Sequence, residues 1–360
     1  MPNQPEFEVR RQRLAQTLKQ SRADAFLTTA LPNVRYLSAF TGSNGAVLIT
    51  PDRAILFTDP RYQTQAPQES DCDVKIAKEP LLKQVSTWLK RLQIKSIAIE
   101  ENRIGFEEYR RLRELAPTVR LKPVSGIVEN LRAIKSATEI ATIKASVEVN
   151  SAALEQALRR FKPGVTEIDL TAEIEYRMRR LGADGPAFST IVASGPRSAL
   201  PHAQPTDCSI QRDELLLIDM GATVAGYASD MTRTHAVGKL DSKKKRIYRA
   251  VLESQLAAID AVKPGASCSS VDQAARKVLR GYGLDKLFIH STGHGLGLEI
   301  HERPRVGRKE RTKLEVGMVI TIEPGVYQEG SGGVRIEDTV AVTPNGCQVL
   351  TQTRKELIVL

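Results

Sequence analysis

The sequence predicts an α/β amino-terminal domain over residues 1–128, followed over 129–360 by an α+β domain made of two pseudo-symmetric halves. Three observations predict this. Short apolar β-like runs alternate with helical stretches up to Val124-Ser125-Gly126, long alanine-rich helices begin after Leu131, and a set of short patterns returns about a hundred residues further along the chain. A length of 360 residues suits two domains that each bury a core.

Residues 6–21 read as a helix, with Phe7, Leu14 and Leu18 apolar among Arg and Gln. β-like runs follow at Ala25–Thr28, Ala46–Ile49, Ile55–Thr58 and Ile97–Ile99, with helical stretches near 81–92 and 105–116 between them. Ser136-Ala137-Thr138-Glu139 has the Ser-x-x-Glu form of a capping box, and it opens a helix near 137–160. Further helices are expected near 166–181, 242–262 and 269–281.

The repeat is visible in several places. Lys162-Pro163-Gly164 returns as Lys263-Pro264-Gly265, and Arg180-Leu181-Gly182 returns as Gly281-Tyr282-Gly283. A His-x-x-Pro pattern occurs at His202 and again at His301. Leu216-Leu217-Ile218-Asp219-Met220-Gly221 returns as Ile320-Thr321-Ile322-Glu323-Pro324-Gly325, and a second acid follows each, Asp230 in the first copy and Glu337 in the second. Two copies are too few and too long for a solenoid, so a duplicated half-domain fits better. Packed face to face, such halves bring four carboxylates together.

A two-residue turn at Ala225-Gly226 makes Val224 face Tyr227 and Asp219 face Thr232, which puts Asp230 diagonally across from Asp219 on one sheet face. A three-residue turn at Glu329-Gly330-Ser331 sets Glu323 opposite Glu337. Paired acids at the ends of apolar runs repel each other and call for a cation. His294, in the small-residue segment Thr292-Gly293-His294-Gly295, adds one imidazole; the repeat places Gly195 at the matching position of the first half. Four carboxylates and one imidazole match two divalent ions, held roughly 3.5 to 4 Å apart in sites of this kind. The oxygen-rich set suits Mn(II), Co(II) or Fe(II), with Zn(II) also compatible.

Composition narrows the class. A hydrophobic content of 41% with 26% charged residues is ordinary for a globular protein, and no stretch approaches the length of a membrane span. The amino terminus lacks the basic-then-apolar order of a secretory signal, and the 4 cysteines form no C-x-x-C pair, so a cytoplasmic protein is expected. The net charge of +10 raises nucleic acid as a partner, but its densest run, Lys239 to Arg249, reads as the solvated start of an amphipathic helix. No nucleic-acid or membrane partner is expected.

These motifs resemble the pita-bread metallopeptidases, which include aminopeptidase P, prolidase, methionine aminopeptidase and creatinase. His290-x-x-Gly293-His294-Gly295-x-Gly297 with Glu299-Ile300-His301-Glu302-x-Pro304, and Gly333-Val334-Arg335-Ile336-Glu337-Asp338, look like the prolyl-specific branch. Asn33 to Gly42 and Thr58-Asp59-Pro60-Arg61-Tyr62 resemble a creatinase-type amino-terminal domain, which methionine aminopeptidases lack. The segment from Leu131 to Ile140 is similar to the domain junction. Creatinase is metal-free, and all five ligand positions stand here.

The resemblance implies a creatinase-type α/β domain followed by a pita-bread catalytic domain, with Asp219, Asp230, His294, Glu323 and Glu337 as metal ligands. It implies that Asp230 and Glu337 bridge the two ions. Glu323 is the expected proton shuttle, and His202 and His301 are expected to hydrogen-bond the scissile carbonyl or the tetrahedral intermediate. His290 is expected to line the proline side, Arg335 to hold Asp230 or a neighbouring carboxylate, and Tyr327 to donate a hydrogen bond to a metal-bound group; His235 remains as a structural histidine.

The expected activity is a metal-dependent Xaa-Pro exopeptidase acting on proline-containing peptides. Aminopeptidase P is favoured, and a prolidase restricted to Xaa-Pro dipeptides is the alternative. A non-catalytic peptide- or nucleic-acid-binding module of the same fold is the contrasting class. A homodimer is the expected assembly.

Overall fold

The computed structural model describes residues 4–360, and the chain divides into two compact units, Met1–Arg132 and Ala133–Leu360. The sequence places a break after residue 128, four residues earlier, inside the helix Ile127–Ala133. The side chains of Glu129 and Arg132 on that helix hydrogen-bond Asn33, so these turns pack with the first unit.

The first unit is built on one six-stranded mixed sheet. Its strands run in the order Asp73–Ile76, Ala54–Thr58, Gly45–Ile49, Ala25–Thr28, Ser96–Glu100 and Arg120–Val124. The four central strands are the apolar runs read from the sequence, and their side chains are almost all buried. The two edge strands escaped that reading because they are short, half-exposed and interleaved with Asp, Lys, Arg and Pro, residues that suit an edge.

The segment that includes Asn33 forms a short helix, Leu31–Ser38, ended by Ala39 at a left-handed φ of 64°. Asn33 is fully buried and ties this unit together. Its amide donates to Glu100 at 2.6 Å and to Glu129 at 3.0 Å, and its carbonyl accepts from Arg132 at 2.7 Å. Burial pushes the Glu100 carboxyl up to about 7, against the hydrogen bond from the Thr28 hydroxyl.

In the second unit the duplication is explicit. The helices Ala137–Leu158 and Glu167–Arg180 pair in one copy, and Ser242–Asp260 and Cys268–Gly281 pair in the other. Side chains of Ser136, Thr166, Asp241 and Ser267 cap the four helices. Gly164 and Gly265, ending the two Lys-Pro-Gly segments, take φ of 102° and 82°, and each donates its N–H at 2.8 Å, to the carbonyls of Ile210 and Leu314 respectively. No helix is long and apolar enough to cross a membrane among the described residues.

Two sheets carry the acidic hairpins. One orders Met231–Val237, Glu214–Met220 and Ile191–Ser194; the other orders Glu302–Val306, Gly293–Gly295, Val319–Ile322, Asp338–Thr343 and Gly346–Val349. In the first hairpin Val224 pairs with Tyr227 and Asp219 with Thr232, the register expected from the sequence. In the second, Gln328 pairs with Gly332 around a three-residue turn, and Ile322 pairs with Asp338. Both ladders share one register, which brings Glu323 opposite Glu337.

The second ladder opens at that point for a local reason. Pro324 has no N–H to give, the Glu323 N–H turns to the Thr292 carbonyl at 2.8 Å, and the Glu337 N–H crosses to the Thr232 carbonyl at 3.1 Å. The N–H groups of Glu323 and Glu337 thus bond to neighbours on either side, and only a long 3.5 Å bond from Ile336 N–H to the Pro324 carbonyl joins the two segments here.

Candidate metal centre

A cavity of about 570 Å³ in the second unit is lined by all five residues expected as ligands, together with His202, His290, His301 and Arg335. Ligand atoms of Asp230, His294 and Glu337 all lie within 4.8 Å of one another. His294 Nε2 stands 3.5 Å from Asp230 and 3.4 Å from Glu323. Asp219 enters from the other hairpin strand; Arg335 donates to its Oδ2 at 2.5 Å, and its buried Oδ1 has no partner.

The imidazole is set for ligation. His294 Nδ1 lies 3.0 Å from the Gly295 carbonyl, so Nδ1 carries the proton and Nε2 presents its lone pair to the carboxylates. Burial lowers the pKa of His294 and keeps the ring neutral. Its glycine neighbours are required by space: a Cβ on Gly293 would sit 1.9 Å from the Thr321 carbonyl oxygen, and one on Gly295 would sit 2.2 Å from that of Arg303.

The acids are strained electrostatically. Burial, then the charges of Glu337, Asp219 and Glu323, holds the Asp230 carboxyl well above its ordinary range; burial, then Glu323 and Asp219, does the same to Glu337. Burial likewise brings Glu323 up to about 7, with Arg335 pulling the other way. Glu337 Oε2 accepts from the Thr232 hydroxyl at 2.6 Å, and its buried Oε1 has no partner.

Divalent cations fit this arrangement. The donor set is one neutral nitrogen and acidic oxygens, and two buried carboxylate oxygens aim at no protein donor. With four ionised carboxylates and the Arg335 cation the cavity carries a formal charge of about −3, so one divalent ion leaves it negative and a second brings it to about +1.

The remaining residues take definite places. His202 and His301 are exposed on the cavity wall, and the His301 ring stands 4.4 Å from that of His294 in a T-shaped contact. His290 Nδ1 lies 2.8 Å from the Ser291 carbonyl, and burial pushes its pKa down to about 4, so the ring is neutral with Nε2 as acceptor. The Tyr327 hydroxyl therefore donates to His290 Nε2 at 2.8 Å and accepts from Arg335 at 2.6 Å. Tyr327 is thus engaged with His290 and Arg335, and Arg335 holds Asp219 rather than Asp230. His235 is buried with both ring nitrogens unpartnered and lines none of this cavity.

Several residues here are given no role by the sequence reading. Arg305 pairs with His294 across the strands, lines the cavity and donates to the Ser291 hydroxyl at 2.6 Å. Thr321 accepts from the His294 N–H at 3.1 Å and donates to Glu323 at 3.1 Å. Glu302, next to His301, is held by the buried Lys135 ammonium at 3.1 Å and by the Glu299 N–H at 3.1 Å, which fixes the loop that presents His301. Arg305 could have been found only by pairing residues 302–306 with His294, and a bulge between His294 and Gly295 hides that register.

Comparison with known proteins gives a consistent picture. The profile of metallopeptidase family M24 matches residues 141–344, and that of the creatinase/prolidase N-terminal domain matches residues 10–134. The chain is 40% identical to an Xaa-Pro dipeptidase of Pyrococcus horikoshii over 96% of its own length and 97% of the relative's. Among solved structures, it resembles an Xaa-Pro dipeptidase from Bacillus anthracis with a TM-score of 0.96 at 39% identity, covering 98% of this chain and 100% of that one. It also resembles an X-Pro aminopeptidase from Thermotoga maritima with a TM-score of 0.90 at 36% identity, covering 96% and 100%.

Proposed function

Because the chain belongs to metallopeptidase family M24 and carries that family's pita-bread fold behind a creatinase/prolidase amino-terminal domain, we propose that this hydrolase is a two-metal exopeptidase cleaving the Xaa-Pro bond at the start of peptides. The observation that carries this reading is the convergence of Asp219, Asp230, His294, Glu323 and Glu337 in one cavity whose wall also presents His202 and His301. The donor chemistry favours Mn(II) or Co(II). A pair of divalent ions in this cavity supplies Lewis acidity and lowers the pKa of water.

The chain's own groups do the rest. Asp219, Asp230, His294, Glu323 and Glu337 would hold the ions, Asp230 and Glu337 being the most deeply buried of the acids. Glu323 accepts the proton of the attacking water and passes it to the proline nitrogen as the bond breaks, because a tertiary amide cannot leave unprotonated. His202 and His301 donate hydrogen bonds to the carbonyl oxygen as negative charge builds on it. His290, fixed by Tyr327 and packed edge-on against the buried Phe288 ring 5.0 Å away, forms the proline side.

This reading accommodates residues beyond proline in a second cleft, which adjoins the metal cavity and shares His290, Ser291 and Arg305 with it. A second reading, a dipeptidase acting on Xaa-Pro alone, is favoured by Arg305. It pairs with His294 across the strands and lines the cavity, and its guanidinium can pair with the free carboxylate of a dipeptide's proline. The names of the Pyrococcus and Bacillus relatives agree with this second reading, and that of the Thermotoga protein agrees with the first.

The protein loaded with Mn(II) or Co(II) should release the first residue of a prolyl tripeptide, should prefer Met-Pro over Met-Ala substrates, and should lose turnover on chelation. Comparing an Xaa-Pro dipeptide with an Xaa-Pro tripeptide decides between the two length preferences. No turnover of any prolyl substrate with metal bound would sink the proposal.

A further inference from the structure

A second cleft of about 570 Å³ adjoins the metal cavity and shares His290, Ser291 and Arg305 with it. Its walls carry Lys286, Arg305, Arg308 and Lys309, all exposed, and among the described residues none of these four pairs with a carboxylate. The single acid, Glu310, is turned onto Thr312, accepting from its N–H at 3.0 Å and its hydroxyl at 2.5 Å. Arg276 forms the floor. Its guanidinium is neutralised by Asp272 at 2.7 Å and donates to the carbonyls of Phe288 and His290, so it holds the wall in place and leaves the other cations to face solvent.

A cleft with four exposed cations and no paired carboxylate presents a positive potential that attracts anions. Its position says which anion. In the Xaa-Pro reading, on which this inference rests, the proline lies against His290 and the chain leaving it passes Ser291 and Arg305 into the cleft. We propose that the cleft binds the leaving half of the substrate and selects Xaa-Pro peptides with acidic residues immediately after the proline, Arg305 meeting the first and Arg308, Lys309 and Lys286 meeting those beyond. The carboxylate of an Xaa-Pro dipeptide is the smallest member of the same anionic class.

The test compares kcat/KM of the full-length, Mn(II)-loaded protein at low ionic strength for three peptides with the same first residue: Xaa-Pro-Glu-Glu, Xaa-Pro-Gln-Gln and Xaa-Pro-Lys-Lys. The acidic peptide should exceed the neutral one by about tenfold, chiefly through KM, because each exposed ion pair contributes a few-fold. High salt should compress that ratio. The triple variant K286A/R308A/K309A should bring it close to unity, and R308E/K309E should reverse the order in favour of the Lys-Lys peptide. Equal kcat/KM for the three peptides, or a ratio that neither variant moves, overturns the inference while leaving Xaa-Pro hydrolysis intact. Turnover of none of them fails the exopeptidase reading itself and this inference with it. Peptides ranked equally, together with salt-sensitive inhibition by a single-stranded oligonucleotide that the triple variant relieves, would assign the cleft to nucleic acid and overturn the inference as well.

Discussion

Arg335 donates to the Asp219 carboxylate at 2.5 Å, so a cation from the second half of the repeat is locked onto an acid of the first. The same guanidinium donates to the Tyr327 hydroxyl at 2.6 Å, to the Thr232 hydroxyl at 3.1 Å and to the Pro201 carbonyl at 3.3 Å. It is almost wholly buried, and every one of these groups would lose a partner with it.

Replacing Arg335 by Met should therefore cost about 3 kcal/mol or more in stability, the penalty of breaking a buried ion pair on one side. Activity should fall about a hundredfold or more, since Asp219 and His290 both lose their anchors. Arg335→Lys should rescue little, because an ammonium cannot span Asp219, Tyr327 and Thr232 together. Thermal melting and kcat/KM on an Xaa-Pro substrate check this; full rescue by Lys would contradict it.

Metal should stabilise the fold by mass action. Saturating Mn(II) or Co(II), at about a hundred times the dissociation constant, should raise Tm by about 5 °C or more in a domain of this size. Glu337→Gln and Asp230→Asn should abolish the shift and lower the bound metal measured by atomic absorption. A metal-free melting curve identical to the loaded one would count against a resident metal.

His301→Ala should lower kcat about a hundredfold with metal content and KM little changed, the pattern expected when a donor to a developing oxyanion is lost. His202→Ala should behave alike. A rise in KM at constant kcat would instead assign these rings to substrate binding.

His235 makes a separate prediction about acid. Burial first, and the neighbouring Arg233 second, push its pKa from 6.5 down to about 4. Between these values the unfolded chain binds a proton that the folded chain refuses, so this residue removes stability as pH falls from 6.5 towards 4 and removes no more below that. The loss is at most about 3 kcal/mol. His235→Leu should flatten the acid limb of a denaturation series over that window and raise stability, since both ring nitrogens lack partners. An unchanged acid limb would show that His235 does not titrate in this way.

Much of the centre was legible because strand register follows from turn length and alternation. Ala225-Gly226 and Glu329-Gly330-Ser331 each specify a turn, and from the turns the pairings of Asp219 and Glu323 follow by counting. Capping was equally legible at Ser136, where both hydrogen bonds of the box form. Arg335 was expected to hold Asp230 or a neighbouring carboxylate, and it holds Asp219; its contacts with Pro201 and Thr232 were not legible, because both come from distant segments. Arg305 and the Lys135–Glu302 pair were hidden for the same reason: a bulge and more than 160 residues of chain separate cause from effect. Edge strands such as Asp73–Ile76 are too short and too polar to declare themselves without their neighbours.

The two halves also exchange threonines. Thr232 reaches Glu337, and Thr339, at the matching place in the other copy, reaches the backbone carbonyl of Asp230 at 2.9 Å. Each half thus finishes the other's coordination strand, and neither alone can present a complete ligand set. Ion uptake is therefore a readout of whole-domain assembly during refolding, arriving only after both copies have docked. A single copy expressed on its own, however well its helices form, should remain blind to metal.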